Sequence, residues 1–269
     1  MCPAAAGAIS PSAALHSKNT RLEVHRLTEE GLQAVLDVPI YGRISALKLF
    51  RPPGEATDLL FLLTERCKFA LLQYDAAAGE LVTRANGDAS EKVGKQCESG
   101  QLAAVDPECR AICLHLYDGQ LKVIPIGAGG ALQEAFNVRL DELAVLDVAF
   151  LHGCAAPTLA VLYEDTKEQR HVKTYELALR EKELAPGPWA EPGLDPGSNM
   201  LIPVRGTRGA IVVGEEAAVL VGAGAACSTS IEPTMMKAYG EVGDDGSRFL
   251  LGDDEGNIHL LVVAKDGAR

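Results

Sequence analysis

Two pairs of residues carry the side chains that metal sites and nucleophilic enzymes use. Cys109 and Cys113 are four positions apart, and His152 and Cys154 flank a single glycine. Zinc needs four ligands, and no further His or Cys pair at ligand spacing lies near either pair. A Cys/His dyad also needs a third group that orients the imidazole, and near neighbours in a loop seldom face one substrate. We therefore predict structural thiols, no catalytic residue and no metal ligand.

Two acidic runs and the many glycines are the remaining features typical of ion or nucleotide sites. Residues 244–246 read DDG and residues 253–256 read DDEG, but neither run has the spaced ligands and distal Glu of a calcium loop. The 27 glycines form no GxxxxGK[ST] loop and no strand-linked GxGxxG. We interpret the acidic runs as turns, in which Asp supports the bend and Gly supplies a positive φ. No cofactor is predicted.

Three histidines and the single tryptophan offer no convergent site. His115, His171 and His259 lie in strand segments of different repeats, so we expect them to be hydrogen-bonded strand residues. Trp189 follows a Gly-Pro pair in a predicted loop. Its ring either anchors a partner or packs against the fold, and the packing interpretation is favoured.

The composition narrows the class of protein and its surroundings. The 37 acidic and 25 basic residues give a net charge of -12, which disfavours non-specific binding of nucleic acid. Seven cysteines at irregular spacing indicate a reducing, intracellular compartment. Residues 1–17 are rich in Ala, Ser and Pro and lack the features of a secretory signal, and no apolar run is long enough to span a bilayer. We predict a disordered leader over 1–17 and no membrane partner.

An apolar run, a polar turn and a second apolar run recur five times along the chain, which is the pattern of a β-hairpin. The clearest turn is Asp118-Gly119, because glycine tolerates the positive φ that a tight hairpin needs. Corresponding first-strand positions, 39 to 52 residues apart, are Leu60, Ile112, Leu159, Ile211 and Leu250. This spacing is typical of the four-stranded blade of a β-propeller.

The sequence therefore predicts an all-β fold, a WD40-like β-propeller. Two strand candidates, residues 20–27 and 32–39, precede the first complete blade, and the chain reaches about the third strand of the last blade. We expect an incomplete propeller of about five blades plus two leading strands, with unpaired strand edges at both ends. Residues 18–269 are assigned to this partial amino-terminal propeller.

Short segments spread along the chain have the pattern of one known family. They are KNTRLEV (18–24), IYGRI (40–44), VDPECR (105–110), LYDG (116–119), FNVRL (136–140), RHVKTYE (170–176), GPW (187–189) and GSRFLLGD (246–253). They resemble the first propeller of the large subunit of the UV-damaged DNA-binding complex, and the resemblance runs from Lys18 to Val263. Two regions depart from the family pattern, namely residues 1–17 and the Ala/Gly-rich residues 206–233.

The resemblance implies a scaffold for other proteins and not an enzyme. In that family three propellers and a helical domain form the adaptor of a cullin-RING ubiquitin ligase. The first and third propellers form a cleft that receives helical segments of WD-repeat substrate receptors, and the middle propeller holds the cullin. The implied roles are DNA damage recognition, nucleotide excision repair and ubiquitin-dependent degradation, in the nucleus and also the cytoplasm. Damaged DNA would be reached through a partner subunit, and the cullin through propellers absent from this chain.

Two alternatives share the propeller architecture. The large propeller subunits of the messenger-RNA cleavage and splicing machineries form the nearest alternative family. A calcium-dependent propeller hydrolase of lactonase type would need several carboxylates around its central channel. The predicted innermost strands at 46–49, 103–105 and 145–148 are mainly apolar, with Asp147 as an isolated exception. This pattern disfavours the hydrolase.

The partner-binding residues are predicted from their place in the propeller. Propellers usually bind ligands on the face formed by the loops between blades, here predicted at residues 39–43, 86–100, 139–142 and 185–198. Tyr41, Arg43 and Arg139 in these loops are of the types favoured at interface hot spots. The alternative is that Tyr41 seals a blade junction and the arginines pair with local carboxylates such as Asp141 or Glu142. We predict partner binding at Tyr41, Arg43 and Arg139.

Overall fold

A computed structural model describes residues 13–75, 77–222, 224, 226–243 and 245–264. Within these residues the chain forms six antiparallel sheets and one short 3-10 helix, Ala128–Gly130. The first and last sheets have three strands, and the other four sheets have four. Each sheet is a meander of consecutive strands, which is the blade of a β-propeller. No helix in this part of the chain is long and apolar enough to cross a membrane.

The strands are numbered in chain order. The first sheet contains β1 Ala13–Lys18, β2 Arg21–Thr28 and β3 Gly31–Pro39. The second sheet contains β4 Ile44–Phe50, β5 Leu59–Thr64, β6 Lys68–Asp75 and β7 Glu80–Asp88. The third sheet contains β8 Leu102–Val105, β9 Ala111–Tyr117, β10 Gln120–Pro125 and β11 Phe136–Arg139. The fourth sheet contains β12 Ala144–Phe150, β13 Thr158–Glu164, β14 Arg170–Ala178 and β15 Glu183–Leu194. The fifth sheet contains β16 Met200–Val204, β17 Gly209–Val213, β18 Ala217–Val221 and β19 Cys227–Ser230. The sixth sheet contains β20 Met236–Glu241, β21 Arg248–Asp253 and β22 Ile258–Val262.

The five hairpins that the repeat predicts are all present. Between β9 and β10 the chain turns at Asp118-Gly119, where Gly119 has a φ of 78°. All residues of β5 and β9 are buried, as expected for strands with a packed sheet on each face. The hairpin of β17 and β18 forms as well, within the region that departs from the family pattern. The apolar runs therefore placed the middle strands of the blades correctly.

Apolar side chains between neighbouring blades hold the sheets together. Five hydrophobic clusters each combine residues of two successive sheets. The cluster between the second and third sheets includes Phe61, Leu114 and Ile124. Among the described residues no cluster joins the last sheet to the first, and both terminal sheets expose apolar side chains such as Leu27 and Leu260. Within the described residues, each cluster therefore joins blades that are neighbours along the chain.

The prediction of about five blades plus two leading strands is wrong, because six sheets are present. The difference arises in the first sheet. Strand β1 pairs with β2 from Ala13 opposite Arg26 to Lys18 opposite Arg21, so the two predicted leading strands are the second and third strands of a whole sheet. The segment AALHSK has one large apolar residue and low β-propensity, so its sequence shows no strand pattern. Residues 1–12 of the predicted leader lie outside the described residues.

A second correction concerns the predicted loop over residues 185–198, most of which belongs to β15. This strand pairs only with β14 and forms a sheet edge, where the missing N–H of proline can face solvent. Gly187 lies against Thr174 so closely that no Cβ fits between them. Trp189 packs against the cluster between the fourth and fifth sheets and donates its indole N–H to the Arg208 carbonyl at 3.1 Å. The packing interpretation of Trp189 is confirmed.

Candidate protein-binding surface

The two ends of the sheets carry different connections. The linker end holds the connections between sheets, at residues 40–43, 89–101, 140–143, 195–199 and 231–235. From the second sheet to the last it also holds the turns between second and third strands, and in the first sheet it holds the turn between β1 and β2. From the second sheet to the last, the opposite end holds the turns between first and second strands, at residues 51–58, 106–110, 151–157, 205–208 and 242–247. In an antiparallel meander these two sets necessarily lie at different ends of the strands. All three predicted site residues lie at the linker end.

Tyr41 and Arg43 lie together between the first and second sheets. The Tyr41 side chain is fully exposed, at 104%. It therefore does not seal a blade junction. Gly42 between the two residues has a φ of 138° and lies against Thr64, which fixes the path of the loop. Arg43 forms a 3.5 Å ion pair with Glu65, in which both side chains are more than half exposed.

Arg139 lies at the end of β11, on the outer edge of the third sheet. It forms a 3.2 Å ion pair with Asp141, and the two side chains are 87% and 75% exposed. An exposed pair of this kind contributes little to stability. The structure thus brings Tyr41 and Arg43 together and places Arg139 one sheet further along. A partner-binding role for the three residues stays a prediction.

Two more exposed apolar side chains at the linker end lie outside the predicted set. Val93 in the linker 89–101 is 88% exposed, and Leu143 in the linker 140–143 is 64% exposed. Each is the one large apolar residue of a polar stretch, EKVGKQ and DEL. That pattern places them in polar connections, but their exposure depends on how the linkers pack, since Leu140 in the same linker as Leu143 is buried.

A buried carboxylate lies beneath this surface, between the third and fourth sheets. Glu142 is buried and accepts hydrogen bonds from the Tyr175 hydroxyl at 2.6 Å and from the Lys173 ammonium at 3.0 Å. Burial and, to a lesser degree, this carboxylate raise the pKa of Tyr175 to about 12. Because Glu142 belongs to the linker 140–143, these bonds fix the backbone that presents Leu143.

At the opposite end an arginine joins two sheets. Arg110 donates to Asp106 at 2.6 Å and to Glu108 at 2.8 Å. It also reaches the carbonyls of Cys154 and Ala155 on the fourth sheet, at 3.0 and 2.8 Å. The Asp106 side chain is fully buried, and the ion pair with Arg110 compensates its carboxylate for the loss of contact with water. This end holds the blades together.

The candidate thiols are placed as structural residues. Burial raises the pKa of the Cys113 thiol to about 12, which keeps it from the reactive thiolate form. The Cys109 sulfur contacts the Arg51 carbonyl at 3.2 Å. The Cys154 sulfur contacts the backbone carbonyl of His152 at 3.7 Å rather than its ring. Within the described residues no group of three or more His, Cys, Asp and Glu side chains could hold a metal ion.

Two hairpins at the linker end contain the same Asp and His contact. Asp165 faces the His171 ring nitrogen Nε2 at 3.2 Å, and Asp253 faces His259 Nε2 at 2.8 Å. Both carboxylates also accept backbone N–H bonds of their own turns. The bond to His259 is the largest cause of the lowered pKa of Asp253. The turn interpretation of residues 253–256 is confirmed, whereas Asp244 of the other acidic run lies outside the described residues.

His115 differs from the other two strand histidines. It is fully buried in β9, and neither ring nitrogen has a hydrogen-bond partner among the residues that the structure describes. The expectation of a hydrogen-bonded side chain is wrong at this position. Burial lowers the pKa of His115, so the ring is neutral in the folded protein at neutral pH.

The innermost strands line a cavity of about 460 Å³, the place where a propeller hydrolase would hold calcium. Among the described residues its carboxylates are Asp106 and Asp147. Arg110 binds Asp106, and Asp147 accepts the backbone N–H groups of Val148 and Leu201, both at 2.8 Å. Burial raises the pKa of Asp147 to about 6. Because protein donors occupy both carboxylates, the cavity lacks the ligand set of the calcium-dependent hydrolase.

The fold and its exposed linker end define the class, a β-propeller with loops exposed at one end of its blades. A family model described as the RSE1/DDB1/CPSF1 first beta-propeller matches residues 12–269. The chain belongs to this family, which confirms the resemblance found in the sequence.

Curated relatives carry the name DNA damage-binding protein 1. The chain is 55% and 53% identical over 251 residues to DNA damage-binding proteins 1a and 1b of Arabidopsis thaliana. It is 53% identical over 251 residues to DNA damage-binding protein 1 of Solanum lycopersicum. Each match covers 93% of this chain and 23% of the relative. The chain thus spans less than a quarter of the length of these relatives.

Proposed function

We propose that this chain acts by binding proteins rather than by catalysis, as part of a scaffold that links substrate receptors to a cullin-RING ubiquitin ligase. Its membership of the propeller family and the names of its relatives support a scaffold of the DNA damage-binding type. The proposed partners at this propeller are WD-repeat substrate receptors. The cullin and damaged DNA are reached through other parts of the assembly. The proposed setting is nucleotide excision repair and ubiquitin-dependent degradation, in the nucleus and also the cytoplasm.

The exposed linker end is the observation that carries this proposal. Tyr41 projects fully into solvent, and within the described part of the chain the side chains of Arg43 and Arg139 form only exposed ion pairs. Aromatic rings and guanidinium groups give a large contact area with directed hydrogen bonds, and partners bury them at hot spots. In contrast, the thiols and carboxylates that could do chemistry are buried or bonded within the fold. Recognition is therefore the function that this arrangement supports best.

A chimaera tests the proposal. This chain replaces the matching 251 residues of Arabidopsis DNA damage-binding protein 1a, with and without the triple change Tyr41→Ala, Arg43→Ala and Arg139→Ala. We expect the triple variant to weaken capture of a WD-repeat receptor about tenfold or more, because three hot-spot side chains are lost. Binding of the cullin should be unchanged.

Arg180→Ala provides the matched control, since Arg180 is an exposed arginine in the turn between β14 and β15, at the opposite end. It should leave receptor capture unchanged. Equal receptor capture by the triple variant and the unchanged chimaera would refute the site. Loss of cullin binding with intact receptor capture would refute the assignment of the receptor to this propeller.

A further inference from the structure

Three successive connections between sheets each expose one large apolar side chain. They are Tyr41 after the first sheet, Val93 after the second and Leu143 after the third. A single exposed apolar residue needs no explanation, whereas neighbouring exposed apolar residues that share one patch mark a binding surface. Of these three residues only Tyr41 belongs to the predicted hot-spot residues, so Val93 and Leu143 add to that set.

Backbone contacts bring two of these linkers to one turn. The linker 89–101 lies on one side of the Asp118-Gly119 turn of the third sheet, where the Asp118 N–H donates to the Lys95 carbonyl at 2.9 Å. On the other side Leu140 N–H donates to the Gly119 carbonyl at 3.0 Å. A Cβ on Gly119 would lie 3.5 Å from the Leu143 side chain. Val93 and Leu143 therefore flank the same hairpin.

A further contact connects these linkers to the loop of Tyr41 and Arg43. The Gln101 side chain, at the end of the linker 89–101, donates to the Glu65 carbonyl at 2.9 Å. The Glu65 side chain in turn pairs with Arg43. We name the region formed by residues 40–43, 65–67, 89–101, 118–119 and 139–143 the linker surface.

Within the described residues, the ion pairs of the linker surface include all of its acidic residues but not all of its basic residues. Its acidic residues are all ion-paired, in the pairs Glu65 with Arg43, Glu91 with Lys122, Glu98 and Asp118 with Lys95, Asp141 with Arg139 and Glu142 with Lys173. Arg66 and Lys92 are exposed and form no ion pair within the described part of the chain. Two cations of this surface thus have no carboxylate partner among the described residues, and one of them, Lys92, is the sequence neighbour of Val93.

We infer that the linker surface binds a partner segment in which large apolar side chains stand next to Asp or Glu. The apolar side chains of the partner contact Val93, Leu143 and Tyr41, and its carboxylates pair with Arg66 and Lys92. Complementary charge of this kind sets the register and the association rate, whereas the apolar contacts supply most of the affinity. The inference rests on the proposed function, because it names the chemistry of the partner that the scaffold would recruit.

Selection of peptides on the chain itself tests the inference. A random peptide library is panned against the immobilised 269-residue chain at physiological salt, and enriched peptides are synthesised and titrated. We expect enriched sequences with Leu, Ile, Phe or Trp beside Asp or Glu. Their affinity should fall about tenfold for the pair Val93→Asp and Leu143→Asp, and by a similar factor for the pair Arg66→Glu and Lys92→Glu.

Arg180→Glu reverses an exposed arginine at the opposite end and should leave the affinity unchanged. Circular dichroism checks that each variant keeps its β-sheet content. If the aspartate pair fails to fold, the glutamate pair decides, because Arg66 and Lys92 are exposed. Basic enriched peptides, unchanged affinity for the variants or no enrichment at all would overturn the inference. The selection uses no ligase component, so loss of the proposed ligase role would leave its outcome standing.

Discussion

The two ends of the propeller use charged side chains in different ways. At the opposite end Arg110 makes four contacts across two sheets, and its main partner, Asp106, is fully buried. At the linker end Arg139 makes one exposed pair, and Arg66 and Lys92 make none within the described residues. A buried network fixes the neighbouring blades, whereas exposed side chains remain available to a partner.

This difference indicates that one end of the strands serves mainly stability and the other end serves recognition. The buried hairpins and the opposite end carry most of the stability of the fold, and the exposed side chains of the linker end can vary at little cost. Loops on a rigid scaffold are where proteins usually place binding residues. The predictions below test whether stability and recognition are separated in this way.

Arg110→Ala should have the largest effect on stability. It leaves the buried Asp106 carboxylate without its cation, and two carbonyls on the fourth sheet lose their donor. We expect the free energy of unfolding to fall by about 3 kcal/mol. Arg139→Ala removes only an exposed pair and should change it by less than about 0.5 kcal/mol. Urea denaturation followed by circular dichroism measures both, and equal losses would contradict the division between the two ends.

Glu142→Ala tests a buried carboxylate at the linker end. The substitution leaves the Tyr175 hydroxyl without its acceptor and the Lys173 ammonium without its pair. We expect a loss of about 2 kcal/mol in the free energy of unfolding. Glu142→Gln keeps an acceptor for the hydroxyl and should lose about half as much. A loss below that of Asp141→Ala, which removes the exposed neighbouring carboxylate, would contradict the structural role.

A smaller effect is expected from the pH dependence at His115. Its pKa is lowered in the folded state, so protonation favours the unfolded state and stability falls as the pH drops below the ordinary value of about 6.5. Replacement by leucine removes both the titration and two unpartnered nitrogens. The melting temperature of His115→Leu should therefore decrease less than that of the unchanged chain between about pH 7 and 5. Parallel curves for the two proteins would exclude this account of His115.

The fold could be predicted from the sequence wherever strands are apolar and turns are specific. The buried runs of β5, β9 and β13 and the Asp118-Gly119 turn are direct consequences of local residue types. Strands β1 and β15 lack that signal, because one is Ala-rich and the other contains prolines that only an edge position tolerates. Both strands form because they pair with a neighbouring strand, and the local sequence does not show such pairing.

The sequence predicted where the candidate site lies better than it predicted which residues form it. Tyr41, Arg43 and Arg139 follow from the residue types of the connections between blades. Val93 and Leu143 are apolar residues, and whether such a residue is buried or exposed depends on the packing of its linker against another sheet. The burial of Glu142 is also a tertiary effect, since glutamate is usually exposed.

Hydrogen exchange of the chimaera, measured with and without a bound WD-repeat receptor, tests most directly the claim that the linker end recognises partners. We predict slower exchange on binding in residues 40–43, 89–101 and 139–143, and no change in residues 106–110 and 151–157 at the opposite end. Protection confined to residues 106–110 and 151–157, with the linker segments unchanged, would contradict the account.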